Sequence, residues 1–406
     1  MMGARTGRFA RCAALAVLVS AVARTPAGAA PRLPASDAEV LEVLPWRNDP
    51  QQRELRRLRT ELAQAPNDVA RAADVARRYI AFGRREADPR YFGYAQAALA
   101  PWWRLPTPPP AVRLLRATLL QTEHRFPEAL ADLAVLTAQD RGNPQAWLTR
   151  ATVETVRADY AAATRSCAGL SNLADELVTA ACIANVGAMT GRLRASEQLL
   201  AATYARGAGV NKDVDAWVLG ILADMAARRG DAPLADERFR AALANDPRDT
   251  FAVTAYADFL IEQHRAAEAL ALTAPHRRID GLLLRHALAL RQQFPATAPA
   301  ALREDLRELD ARFDAGERRG DGVHLREQAR YLLQLRPQPA RALALARRNW
   351  DQQKELPDAR LLLEAAAAAH DPAAARPALD WMTANHVEDA VLEQEARTFN
   401  QPGSRT

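Results

Sequence analysis

The segment His-Arg-Phe-Pro-Glu-Ala-Leu begins at residue 124, and His-Arg-Ala-Ala-Glu-Ala-Leu begins at residue 264. Five of seven letters recur 140 residues apart in a chain of 406 residues that is not otherwise low in complexity. The flanks align too: Ala117 and Leu120 stand before the first copy as Ala257 and Leu260 stand before the second. A separation of that size is four units of about 35 residues, so further copies are expected in between. Few architectures tolerate such a repeat. One helical hairpin cannot cover its own apolar face, and stacking the next hairpin against it does.

The intervening chain supplies the copies. Trp217 to Asp249 reads WVLGILADMAARRGDAPLADERFRAALANDPRD, with Leu222, Ala223 and Ala226 on one face of a first helix. Gly230-Asp231 then makes a turn, Ala235, Phe239, Ala242 and Leu243 line a second helix, and Asn245-Asp246-Pro247 ends it. Another unit carries Trp147, Ala151, Asp159, Tyr160 and Ala163, and the next carries Ile183, Ala184, Gly191, Leu193 and Ser196. The small second-helix residues Ala129, Ala163, Ser196, Ala235 and Ala269 are spaced by 34, 33, 39 and 34, the long step holding the insertion RGAGVNKDV.

This pattern resembles the tetratricopeptide repeat: small residues where paired helices touch, Gly at the tight turn, an aromatic on the second helix and a closing Pro. The resemblance implies an all-α protein, a right-handed α-solenoid of about eight helical hairpins that degenerates toward both ends. Upstream, Pro66-Asn67-Asp68 repeats the junction, and Val75, Ala76, Tyr79 and Gly83 resemble a first helix and its turn. Downstream the pattern fades. Leu302, Leu306, Leu309 and Phe313 still make an amphipathic helix, and Ala329, Leu332, Ala342, Ala365, Ala368 and Ala378 look repeat-like. The expected organisation is a leader at 1–29, an N-terminal segment and capping helix at 30–66, the repeat solenoid at 67–280, a divergent helical segment at 281–321, C-terminal hairpins at 322–390 and a tail at 391–406. Pro101 to Pro110, PWWRLPTPPP, is expected to be non-helical, because consecutive prolines lack amide donors and push their predecessors into extended backbone.

Composition supports the helical reading and limits the partners. Ala, Leu and Arg dominate, which favours helix. With two lysines, Lys212 and Lys354, the positive charge is nearly all Arg and reads as compositional bias rather than a binding signal. The N-terminus has the layout of a secretory signal: Arg5, Arg8 and Arg11, an apolar run from Cys12 to Ala23, and Ala27-Gly28-Ala29 for cleavage after Ala29. The apolar run is shorter than a membrane-spanning helix requires. Cleavage would remove four arginines, Arg24 included, from 54 basic residues set against 49 acidic ones, leaving the mature chain close to neutral. Nucleic acid is therefore not an expected partner. Export to the bacterial periplasm would place Cys167 and Cys182 in an oxidising space. They are either bridged, closing a loop of about 15 residues for roughly 3 kcal/mol in the chain-entropy estimate, or are two small buried residues that never meet.

No zinc-binding His pair, phosphate-binding Gly loop or nucleophile elbow occurs in the sequence. No cofactor, metal or catalytic residue is assigned. His124 and His264 read as solvated turn residues, and Glu304, Asp305 and Glu308 as a solvated helix face. The family resemblance implies a groove lined by first helices that takes a protein or extended peptide. Its residues here would be Thr118, Gln121, Gln145, Thr152, Asn185, Trp217, Asp224, Arg228, Asp258 and Glu262, with Trp217 the leading one. The expected function is a non-enzymatic, periplasmic protein-protein interaction scaffold. The alternatives are an accessory component of an envelope export or assembly machine, for example for polysaccharide and docked on a membrane protein, and an enzyme with dispersed catalytic residues.

Overall fold

The computed structural model describes Ser36 and residues 50–320 and 322–400. The proposed leader, with Arg5, Arg8, Arg11, Arg24, Cys12 and the cleavage site at Ala29, lies outside the described residues, as do 401–406 of the tail. The chain forms two units, Met1–Pro50 and Gln51–Thr406. Of the first, the description covers Ser36 and Pro50 alone. The second is all-α, and the described residues form 21 α-helices and one 3₁₀ turn with no strand.

The helices are α1 (Pro50–Gln64), α2 (Val69–Glu86), α3 (Arg90–Ala98) and the single turn α4 (Ala100–Trp103), followed by eight hairpins and a last helix. The first five hairpins pair α5 (Pro110–Thr122) with α6 (Phe126–Gln139), α7 (Pro144–Val156) with α8 (Tyr160–Ala168), α9 (Glu176–Ala188) with α10 (Leu193–Gly207), α11 (Lys212–Arg228) with α12 (Ala232–Asn245), and α13 (Thr250–Glu262) with α14 (Ala266–Thr273). The remaining three pair α15 (Asp280–Gln293) with α16 (Ala300–Arg319), α17 (Leu325–Gln334) with α18 (Pro339–Gln352), and α19 (Leu356–Ala368) with α20 (Pro372–Asn385); α21 (Ala390–Asn400) closes the series. Each first helix also touches the next one, from α5 through to α21. The hairpins thus stack in register, which makes the unit a helical-repeat solenoid.

Two small residues per hairpin set the spacing. Ala117, Ala151, Ala184, Ala223 and Ala257 on first helices, and Ala129, Ala163, Ser196, Ala235 and Ala269 on second helices, are all buried. At the α9–α10 crossing the approach is close enough that a Cβ on Gly187 would lie 2.5 Å from the Ser196 Oγ. Asn143, Asp159, Asn211, Asp231, Asp249 and Asp371 cap their helices by accepting backbone amides. Cys167 on α8 and Cys182 on α9 are joined, with their sulfurs 2.01 Å apart.

Three local expectations need correction. Pro101 to Pro110 is not wholly non-helical: Pro101, Trp102 and Trp103 sit in α4 and Pro110 opens α5. A proline in the first turn of a helix forfeits an amide that would be unpaired anyway. Gly83 is not a turn but lies inside α2, where the turn follows at Ala87 with φ +48°. Gly83 instead admits the Phe92 ring, 3.0 Å from where its Cβ would stand. His124 is not solvated; its ring stacks on Phe126 at 5.3 Å, and burial, with Arg326 nearby, lowers its pKa.

The divergent segment folds as α15 and α16 joined by a loop at 294–299, and its pattern faded for a physical reason. Nine consecutive residues of α15, Leu282 to Leu290, are buried, so the helix is covered on every side and shows no stripe. Arg285 and His286 are among them. Asp305 on α16 is fully buried as well, paired with Arg277 and hydrogen-bonded to His286 Nδ1 at 2.6 Å. It belongs to the interior, not to a solvated face.

The last hairpins return to the middle of the solenoid. Lys354 N donates to Val156 O at 2.8 Å, and Arg157 donates to Asp351 O and Gln352 O at 2.9 and 2.6 Å, satisfying carbonyls at the end of α18. One apolar core runs through Ala151, Tyr160, Cys167, Val186 and Met189 and on to Trp350, Leu362, Ala366, Trp381 and Leu392. Residues far apart in the chain therefore share a single core.

Candidate functional site

The residue after each first-helix alanine forms a row across the stacked hairpins: Thr118, Thr152, Asn185, Asp224 and Asp258. The residue six positions before that alanine forms another, which includes Gln145, Trp217 and Phe251. Along the rows the surroundings change. Thr118 is buried and its hydroxyl donates to Leu114 O, while Gln121 is half-buried. Gln145, Thr152 and Asn185 are exposed, Trp217 is 37% exposed, and Phe251 is 85% exposed. The open stretch of the first-helix face thus runs from α7 to the start of α13.

Beyond it, the chain's own C-terminal third is seated on the expected groove residues. The carboxylate of Asp258 accepts from Arg285 Nε and Nη2 at 2.9 and 2.6 Å and from Arg330 Nη1 at 2.6 Å. Burial raises its pKa, but the two guanidinium groups outweigh burial and hold it at about 2. Glu262 pairs with Arg360 of α19, which also reaches Glu364 at 2.9 Å and Glu395 of α21 at 3.2 Å. Burial raises the pKa of Glu262 despite that pairing. Glu395 is pushed up further, by burial first and then by the neighbouring Glu364 carboxylate.

Arg228 departs most from a groove residue. Its side chain is only 5% exposed, and Nη2 donates to Ala188 O at 2.6 Å and to Glu388 O at 3.2 Å. Asp224 lies 3.6 Å away and Asp389 4.0 Å away. Asp224 remains 56% exposed, yet burial raises its pKa, with Arg228 opposing and Asp389 adding to the shift.

A second charged knot lies on α17 and α19. Arg326 pairs with Glu355 at 2.9 Å and with Asp358 at 3.2 Å. Asp358 is buried and accepts from Asn349 and Gln353, and burial pushes its pKa up to about 6. Its second oxygen accepts from Glu355 N, so it also holds the first turn of α19.

Of the ten sequence-derived groove residues, the structure leaves Gln145, Thr152, Asn185, Trp217 and Asp224 facing solvent, and encloses Thr118, Arg228, Asp258 and Glu262 with Gln121 half-buried. Sequence reading missed Phe251, which shares its register position with Trp217, and it missed Arg285, Arg330, Arg360, Glu388 and Asp389. Phe251 could have been found by applying the 34-residue step to Trp217. Arg285 comes from α15, the next stacked first helix, whose all-round burial hides its phase, and the others meet the face only through folding-back, which leaves no periodic trace.

No protein-family model and no curated protein matches the chain. Solved structures with a similar course of helices include a human IFIT1 dimer with PPP-AAAA, at 13% identity and TM-score 0.46, covering 86% of this chain and 87% of that one. Naa15/Naa10 bound to HypK-THB matches at 14% identity and TM-score 0.27 over 86% of this chain and 63% of that one. The P58(IPK) TPR domain matches at 14% identity and TM-score 0.21 over 79% and 93%. Identities and scores this low transfer no ligand and no residue role.

Proposed function

We propose that the protein is a non-enzymatic scaffold of the bacterial periplasm, binding an extended segment of a partner protein across the open first-helix face from α7 to α13. The carrying observation is the pair Trp217 and Phe251, two large apolar side chains at the same register position of successive hairpins, exposed beside the polar Thr152, Asn185 and Asp224. Aromatic anchors within a polar surround are the usual make-up of an interface that is energetically concentrated in a few residues. A ladder repeating at each hairpin suits an extended ligand, since successive ligand residues meet equivalent positions. The Cys167–Cys182 bridge supports an oxidising compartment. The arginines of the C-terminal hairpins are spent on carboxylates of the first-helix face, as Asp258 between Arg285 and Arg330 illustrates, which favours a locking role over chemistry.

The test is capture from an envelope extract with the full chain and with Trp217→Ala/Phe251→Ala. Truncating two exposed side chains leaves thermal unfolding within about 1 kcal/mol of the parent and abolishes capture of the specific partner. Capture that is undiminished in the double variant would refute the assignment of this face.

A further inference from the structure

Between α20 and α21 the tripeptide Val387-Glu388-Asp389 runs without helical structure across the corner where α9, α10 and α11 meet. Its contacts are those of a bound peptide. The Glu388 carboxylate accepts from Leu193 N at 2.6 Å, at the first residue of α10. The side chain of the N-cap residue, Arg192, makes no cap there, so the carboxylate of Glu388 takes that place on an amide and a helix terminus that both favour negative charge. The Glu388 carbonyl accepts from Arg228 Nη2 at 3.2 Å. His386, with φ +52°, lies against Gly191 so closely that a Cβ on that glycine would come within 2.9 Å of the His386 Cβ. A glycine at this turn lets the segment lie down.

The fit is incomplete at its charged centre. Arg228 is buried, yet its Nε has no hydrogen-bond partner among the described residues. Asp224 stands 3.6 Å from Nη1, and Asp389 stops 4.0 Å from Nε, its Oδ1 committed to Val391 N and Leu392 N at the start of α21. A buried guanidinium N–H left unpaired costs more than the bond it would make. Burial raises the pKa of Asp224, the other carboxylate that faces this guanidinium.

We infer that residues 387–389 are a resident stand-in for the partner, and that the partner segment recognised at this corner is acidic and extended: one carboxylate on the α10 amide terminus, a main-chain carbonyl on Arg228 Nη2, and a second carboxylate that reaches Arg228 Nε. This rests on the scaffold reading above and adds the chemistry of the partner and the means of its regulation. A partner binds only by displacing the stand-in. The apparent affinity is reduced by the fraction of time the corner is occupied.

The probe is a fluorescent synthetic peptide of residues 385–392, Asn-His-Val-Glu-Asp-Ala-Val-Leu, titrated into the full chain and into the full-chain variant Glu388→Gln/Asp389→Asn. Both substitutions keep side-chain length, and Asn can still cap α21. Unchanged hydrogen-exchange protection of α9 to α11 verifies folding, with Glu388→Gln alone as the milder variant. The acidic peptide binds the variant about tenfold or more tightly than the parent, and a control peptide with Gln and Asn at the two acidic positions binds neither. Absence of binding to the variant, or equal binding of the control peptide, would overturn the inference. Capture of a partner through Trp217 and Phe251 with no peptide binding here would reject the acidic-segment site alone. Peptide binding without capture would sustain this site and reject the scaffold reading.

Discussion

The corner between first and second helix is where single residues decide most. His124, Ala158, Gly191, Gly230 and His264 all have positive φ, and they recur at the same steps as the small second-helix residues. The doubled His-Arg phrase is one of three solutions to this corner, the third being Gly191-Arg192, where Glu388 supplies the cap. Gly191, Gly230 and the tolerant His residues accept left-handed backbone. After His124 and His264, an arginine pairs with the glutamate three residues on, as Arg125 does with Glu128 at 3.1 Å and Arg265 with Glu268 at 2.7 Å. After Ala158, Gly230 and His370 an aspartate caps the helix instead. The phrase was readable in the sequence; its left-handed backbone was not, because Ala158 breaks the Gly/His rule. Alanine is strained in that region by roughly 1–2 kcal/mol. Ala87, at φ +48° behind α2, gives a clean test. Ala87→Gly relieves the strain at some cost in unfolded-chain entropy, for a net gain of about 0.5–1 kcal/mol. A lower melting temperature for that variant would contradict the assignment.

At the level of helices, periodicity was legible wherever one face is dry and the other wet. It located the hairpins from α5 to α14 and the stripe of α16. It failed at α15, which is buried all round, and could not say that α21 docks by seating Leu392 in the shared core and setting Glu395 against Arg360. That docking has a pH signature. Glu395 stands between Glu364 and Arg360, with Asp389 adding negative charge; Glu262, Arg330 and Gln334 face the same cluster from α13 and α17. Its pKa rises in the folded chain from the ordinary 4.5 to about 8, burial being the main cause. A raised carboxyl pKa means that the folded state holds the proton more tightly. The contribution to stability is fully present below about 4.5 and is lost as pH rises through about 8. Asp358, raised to about 6, acts in the same direction over a lower window. Protection of 390–400 against hydrogen exchange, corrected for the intrinsic rate, therefore falls between about pH 4.5 and about pH 8, and Glu395→Gln flattens the fall. Protection that increases with pH in the parent chain would rule out a protonated Glu395.

On the scale of the whole described unit, stacking was legible and folding-back was not. The repeat announces neighbours 34 residues apart, whereas the bond from Arg157 to Gln352 spans 195 residues and the bridge from Arg360 to Glu262 spans 98. No local pattern encodes such contacts. They arise because α17 to α21 bring their arginines and carboxylates onto first helices whose own charges, Asp258 and Glu262, would otherwise stay unpaired. This divides the expected groove into a filled stretch and an open one, and every functional statement above depends on that division. A double-mutant cycle on Glu262 and Arg360, read by denaturant unfolding, tests it most directly. The account predicts a coupling of about 1 kcal/mol between these two half-buried groups. Strict additivity of Glu262→Ala and Arg360→Ala would mean that α19 does not lie on α13, and the division of the face would fall.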